Sequence, residues 1–290
     1  MSDNINWNEY IENIDGFKTI PNDAFLDDIT LKEAIIPEGV EIIGKDAFRN
    51  CTHLRKVIIP NTVIKINEFA FCNSGIRNII IPDSVNNIEY CTFFGCKDLE
   101  KAVIGKGLKN IPDGCFQYCN YLEYVIIPNN IIEIEHSAFE GCISLNNIKL
   151  PINLKSIHKS TFEYCTNLTE IIIPDNVIKI EDDAFSFCTN LKNIIFGNNL
   201  EIIKFRAFNC CQSLLSIKIP STVVDIEYGA FNDCKNLVSV DLDNCDINIK
   251  EYNDNIFDGC DKLSTIKYKN FIAEKKKTGD NEYWEIKEVK

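Results

Sequence analysis

The residues best equipped for chemistry are fourteen cysteines, three histidines and several paired carboxylates. Nine of the cysteines recur at one place, three residues after a phenylalanine: Cys51, Cys96, Cys119, Cys142, Cys165, Cys188, Cys211, Cys234 and Cys260. In a small secreted chain so many cysteines would suggest a disulfide framework. A single column of one residue type reads instead as packed, reduced thiols, because free cysteine behaves as a small hydrophobe. Zinc requires ligand pairs two to four residues apart, and Cys115 with Cys119 is such a pair. No second pair or nearby histidine completes it, so no metal is expected. His136 and His158 stand at unequal places in neighbouring repeats and read as solvated side chains.

The acidic run Asp241-Leu-Asp243-Asn-Cys245-Asp246 has the look of a calcium loop at its start only. Cysteine occupies its fifth position, aspartate stands where the turn needs glycine, and Tyr252 replaces the closing glutamate. Asp182 and Asp183 have no partner base, so they give a glycosidase reading no support. Phosphate loops, dinucleotide fingerprints, nucleophile elbows and zinc-protease helices are missing from the sequence. The expectation is a chain with no catalytic residues and no cofactor.

The column of cysteines belongs to a larger pattern. Phe25, Phe48, Phe71, Phe93, Phe116, Phe139, Phe162, Phe185, Phe208, Phe231 and Phe257 follow one another at 23 residues, with one step of 22 and one of 26. Such a period is the signature of a solenoid, in which no repeat can bury its apolar face alone. Each unit opens with Leu-x-x-Ile-x-Ile-Pro, as in Leu54-Arg-Lys-Val57-Ile58-Ile59-Pro60. β-Branched residues at period two make this a strand with Leu54, Val57 and Ile59 inward, and proline halts pairing at its end. Each unit closes with Val-x-x-Ile-x-x-x-Ala-Phe-x-x-Cys, as in Val177 to Cys188, which reads as a short extended piece and one tight helical turn. Residues 1–16 place Trp7, Tyr10, Ile11 and Ile14 at helical spacing before Gly16, so a capping helix is expected there, started by Ser2 or Asp3. Repeats fill residues 17–268, about eleven of them. Residues 269–290 carry two alternating segments around Gly279 and are expected to form a β-hairpin cap.

These residues resemble the leucine-rich repeat superfamily, and the wording Leu-x-x-Ile-x-Ile-Pro with Ala-Phe-x-x-Cys resembles its BspA-like, Treponema-type branch. Isoleucine largely replaces leucine within the strands. The post-strand asparagine appears only as Asn130, Asn153, Asn176 and Asn199, where bonds to the backbone of the adjacent turn are expected. The resemblance implies a right-handed superhelix with one parallel β-sheet and short turns or helical turns on its other side. It also implies a chain that binds other proteins, and for several members a surface role in adhesion to host or matrix proteins.

Charge and length bound the partners. A formal net charge of −13 argues against binding nucleic acid through its phosphates. No apolar run approaches the ~20 residues that span a bilayer, so membrane insertion is not expected. Met1 to Tyr10 lacks the basic and apolar regions of a signal peptide, which points to the cytoplasm, with the cell surface as the alternative. The expected partner is a protein, and self-association is open.

A candidate surface follows from the strands. The side chain between the two inward isoleucines points outward, and down the repeats it is Ile35, Ile58, Ile80, Val103, Ile126, Lys149, Ile172 and Ile195. An outward position normally turns polar when one face is wet. Ladder packing between strands could favour isoleucine there by itself, whereas an apolar stripe can also mark a partner surface. The residues singled out for partner binding are Ile58, Ile80, Val103, Tyr124 and Ile126.

Overall fold

The computed structural model describes residues 5–242, 245, 256–269, 271–278 and 281–288. Apart from Cys245, the insertion at 243–252, with most of the calcium-like run, lies outside the described residues, as do Ser2, Asp3 and Gly279. The chain divides into two units, Met1–Pro151 and Ile152–Lys290. Both are β-solenoids built from parallel sheets.

In the first unit five of the repeats give a three-residue strand at this segment, whereas Leu145 to Leu150 gives none. Glu33–Ile35, Lys56–Ile58, Asn78–Ile80, Lys101–Val103 and Tyr124–Ile126 make one five-stranded parallel sheet. The extended piece behind it pairs as well. Phe17–Ile20, Ile42–Ile43, Lys65–Ile66 and Asn87–Ile88 form a second parallel sheet, and Asn110–Ile111 pairs with Glu133–Ile134. The same division recurs in the second unit. There the two-residue strands Ser156–Ile157, Lys179–Ile180, Ile202–Ile203 and Asp225–Ile226 form one sheet. Glu170–Ile172 pairs with Asn193–Ile195, and Ser216–Lys218, Ser239–Leu242 and Thr265–Tyr268 continue into the antiparallel hairpin Phe271–Thr278 and Asn281–Glu288.

The core is the set of repeating apolar columns. Phe48, Phe71, Phe93, Phe116 and Phe139 are fully buried, and in the first unit successive rings stack with centroids 5.1–5.5 Å apart. Stacking a large side chain on its own copy removes both ring faces from water, which a single repeat cannot do.

The segment around each phenylalanine is not the helical turn that its spacing suggests. The residues two before and two after it take positive φ in repeat after repeat, as in Asp46 and Asn50 (53° and 60°) around Phe48, or Gly114 and Tyr118 (59° and 60°) around Phe116. Left-handed residues at this interval turn alternate N–H groups outward along the stack. Asp46, Phe48 and Asn50 therefore donate to Glu68, Ala70 and Cys72 of the next repeat, at 2.7–3.2 Å. A helical turn would spend those donors within the repeat, whereas here they bond one repeat to the next.

The capping helix expected over residues 1–16 is likewise not what forms. Trp7–Glu9 is one 3-10 turn, and Glu12–Ile14 is a strand antiparallel to Phe17–Ile20, reversed at Gly16 with φ +87°. The reason is the free edge of the first strand of the second sheet, whose backbone groups a helix could not pair. The aromatic residues still cover the end of the stack: Tyr10 and Trp7 lie 4.3 and 5.8 Å from Phe25, centroid to centroid.

Candidate interaction face

The structure brings Ile58, Ile80, Val103, Tyr124 and Ile126 onto one surface, the outer face of the five-stranded sheet of the first unit. Register places Ile35 beside Ile58, Ile80 beside Val103, and Val103 beside Ile126, with Tyr124 beside Lys101. The residues on either side of Ile58, Ile80 and Val103, such as Val57 and Ile59, are buried, as is Val125 between Tyr124 and Ile126, so the pleat turns the ladder outward. Ile80 is 65% exposed, Tyr124 59%, Ile126 54% and Ile58 44%, while Val103 is half-buried. Ile35, at the end of the same ladder, is also exposed. In the second unit Ile172 and Ile195 repeat the arrangement on paired strands, and the position becomes Lys218 and Asp241 further on. With hydrogen-bonded strands ~4.8 Å apart, the ladder from Ile35 to Ile126 is about 19 Å long.

Polar residues frame it. Lys56 lies 3.6 Å from Glu33, and Arg55 is 3.0 Å from Asp98. The Arg55 guanidinium also donates to the carbonyls of Thr52 and Gly75, at 2.9 and 2.7 Å. The sequence pattern did not single out the residue just ahead of each strand, although Lys32, Arg55 and Arg77 recur there at one offset. Those cations are invisible to a search for apolar period because they belong to no core column.

The other candidate chemistry resolves into structure. Within each unit the column thiols donate to the carbonyl of the preceding repeat's phenylalanine, as in Cys51 to Phe25 at 3.0 Å, Cys119 to Phe93 at 3.1 Å, Cys142 to Phe116 at 3.2 Å, and Cys188 to Phe162 at 3.2 Å. Ser74 takes the same place in the repeat that lacks the cysteine, 2% exposed and 3.4 Å from the Cys96 sulfur. Burial, followed by the Asp28 charge, pushes the Cys51 thiol up to about 12, and burial raises Cys142 and Cys188 as well. A thiol that stays protonated is neither a nucleophile nor a metal ligand.

Asn130 donates to the carbonyls of Lys106 and Leu108 at 2.8 and 2.6 Å, and Asn176 to Ile152 at 2.9 Å. These are the backbone bonds expected of the post-strand column. Thr62, Ser84 and Thr222 make the equivalent bond with a hydroxyl, to Val40, Val63 and Leu200. His136 Nδ1 lies 3.2 Å from an Asp113 oxygen, and His158 Nδ1 lies 3.4 Å from Glu181. Burial raises the Glu181 carboxyl, but Lys179 and His158 outweigh it and leave its pKa lowered.

Comparison with known proteins agrees with this architecture. A family model described as "BspA type Leucine rich repeat region" matches the chain in six copies, over residues 18–124, 109–238 and 155–281. Among solved structures, the chain resembles a leucine rich repeat protein of T. pallidum (23% identity, 60% of this chain and 82% of that one, TM-score 0.54). It also resembles a leucine-rich repeat protein of Bacteroides ovatus (22% identity, 89% and 85% covered, TM-score 0.53). A third likeness is to a leucine rich cell surface protein of Faecalibacterium prausnitzii (24% identity, 89% and 86% covered, TM-score 0.46). No curated protein matches in sequence. These likenesses lend no support to the cytoplasmic location expected from the first ten residues. Among the described residues no helix is long and apolar enough to cross a membrane.

Proposed function

We propose, from the premise that this chain belongs to the BspA-type leucine-rich repeat family, that it is a non-catalytic scaffold that binds another protein through the outer face of its first five-stranded sheet. The observation that carries this reading is the alignment of Ile35 with Ile58 and of Ile80 with Val103 and Ile126, on strands joined where Lys56 pairs with Asn78: five apolar side chains on adjacent strands that the pleat directs to solvent. Scattered surface apolar residues are ordinary, but a contiguous ladder stays exposed to water at a cost that a partner would remove. The mechanism is complementarity on a rigid surface. Repeat-to-repeat bonds hold the strands in place, so little ordering is left to be done on binding.

The test replaces Ile58, Ile80 and Ile126 together by threonine, a β-former that keeps the strand and removes most of the apolar contact. A tagged chain and this variant are compared as bait in extracts of the native cell. Loss of a stoichiometric protein partner from the variant, with its thermal unfolding unchanged, is the expected result. Equal recovery of every partner would leave the ladder as strand packing and sink the proposal. The same pair, assayed on immobilised matrix proteins, examines the adhesin reading, in which the face is unchanged and the partner is extracellular.

A further inference from the structure

The flanks of this face narrow what can lie on it. The position ahead of each strand is Lys32, Arg55 and Arg77 on the first three rungs, then Glu100 and Glu123, and all five are exposed. Lys56 and Lys101 add cations one residue further along. Arg55 and Lys56 are tied to Asp98 and Glu33, whereas Lys32, Arg77 and Lys101 make no ion pair among the described residues. On the first three rungs Lys32, Arg55, Lys56 and Arg77 outnumber Glu33 and Asp98, whereas Glu100 and Glu123 flank the last two. A chain of net charge −13 therefore sets a local positive field beside the first three rungs of its apolar ladder, and the field favours an acidic occupant there.

Size and spacing select the shape of that occupant. Five rungs, about 19 Å long and two or three side chains wide, offer a few hundred Å2. That is well under the ~800 Å2 per partner of a stable interface between folded proteins, a second copy of this chain included. It does suit one helix, which is ~10 Å across. The rungs lie ~4.8 Å apart at the sheet and 5.1–5.5 Å apart at the stacked phenylalanines. A helix running along the ladder presents apolar side chains once per 5.4 Å turn and stays close to phase over four steps. An extended segment presents them every ~6.7 Å and is out of phase by the second.

We infer that the occupant is an acidic amphipathic helix lying along the ladder, its apolar stripe on Ile58, Ile80 and Val103 and its carboxylates toward Lys32, Arg77 and Lys101. The inference rests on the reading of this face as a binding surface and adds the chemistry and conformation of what binds.

The experiment uses the full chain and three fluorescein-labelled 18-residue peptides, read by anisotropy. All three carry leucine at i, i+3, i+4 and i+7. The first has glutamate at the flanking positions and the second has lysine. The third is the glutamate peptide with two central prolines that abolish the helix. Three surface ion pairs gained or lost predict about tenfold tighter binding of the glutamate helix than the lysine helix at 50 mM salt, with the gap closing at 0.5 M. The variant Arg77→Glu with Lys101→Glu reverses that order, and the proline peptide binds at least about tenfold more weakly than its parent. Equal binding of the two charged helices, equal binding of the proline peptide, or no binding of any of them would overturn the inference. Concentration-dependent dimerisation that the two charge substitutions abolish would overturn it too, by giving the face to a second copy. The Ile58, Ile80 and Ile126 comparison with native partners separates the two levels. If that comparison succeeds while the glutamate helix fails, the binding face stands and only the helix is lost.

Discussion

Raising the pH should unfold this protein through five of its buried thiols. Cys51, Cys115, Cys142, Cys188 and Cys211 are at most 1% exposed, and burial is the first cause that raises each of their pKa values. The folded state therefore keeps a proton that the unfolded chain gives up. Below about pH 9, the ordinary thiol value, both states are protonated and the contribution to stability is whole. Above it only the unfolded chain ionises, so stability falls as pH rises, until the folded thiol itself titrates, near 12 for Cys51. Each thiol contributes a slope of about 1.4 kcal/mol per pH unit in that window. The five together give about 7 kcal/mol per unit, comparable with the whole stability of an ordinary domain. Urea unfolding followed by circular dichroism in reducing buffer at pH 9, 10 and 11 measures the slope. Tyrosines and lysines titrate in the same range, so the decisive comparison is with Cys142→Ser/Cys188→Ser. Serine fits the column, as Ser74 shows, and does not titrate there. The variant should lose about 2.7 kcal/mol per pH unit of slope. Identical slopes in the two proteins would refute the burial argument.

Three further predictions concern the backbone. Asn130→Ala removes the donor shared by the Lys106 and Leu108 carbonyls and should cost about 1–2 kcal/mol in urea unfolding, leaving far-ultraviolet dichroism unchanged. Gly75→Ala would bring a Cβ onto the Thr52 carbonyl and the Arg55 guanidinium, where the repeat is one residue short. Backbone cannot give way as a side chain can, so a loss of about 1–3 kcal/mol is expected. Gly16→Ala, with open space around its Cβ, should lose only about 1 kcal/mol, from its φ of +87°. Equal midpoints for Gly75→Ala and Gly16→Ala would show that strain at Gly75 is not the limiting feature.

The short repeat shows why some of this was legible and some was not. Leaving out one residue between Phe71 and Phe93 keeps the phenylalanine stacked, with centroids 5.4 Å apart, because the change is absorbed next to Gly75 rather than in the core. Period and apolar identity survive such an edit and can be read from letters. The conformation that absorbs it cannot.

The sequence by itself determined the repeat, its columns and the outward ladder. One residue in two must face away from a half-buried strand, and no single 23-residue unit can bury its own phenylalanine. Only the tertiary structure decided the turns, the N-terminal end and the flanks. Asp46 and Asn50 take left-handed φ because their N–H groups have acceptors in the next repeat, which the local sequence does not contain. Glu12–Ile14 becomes a strand because the edge of Phe17–Ile20 needs pairing, although Trp7, Tyr10, Ile11 and Ile14 keep helical spacing. Lys32, Arg55 and Arg77 become one positive border only when their strands lie side by side. Spacing along the chain fixes which way a side chain points, and stacking across repeats fixes what stands beside it.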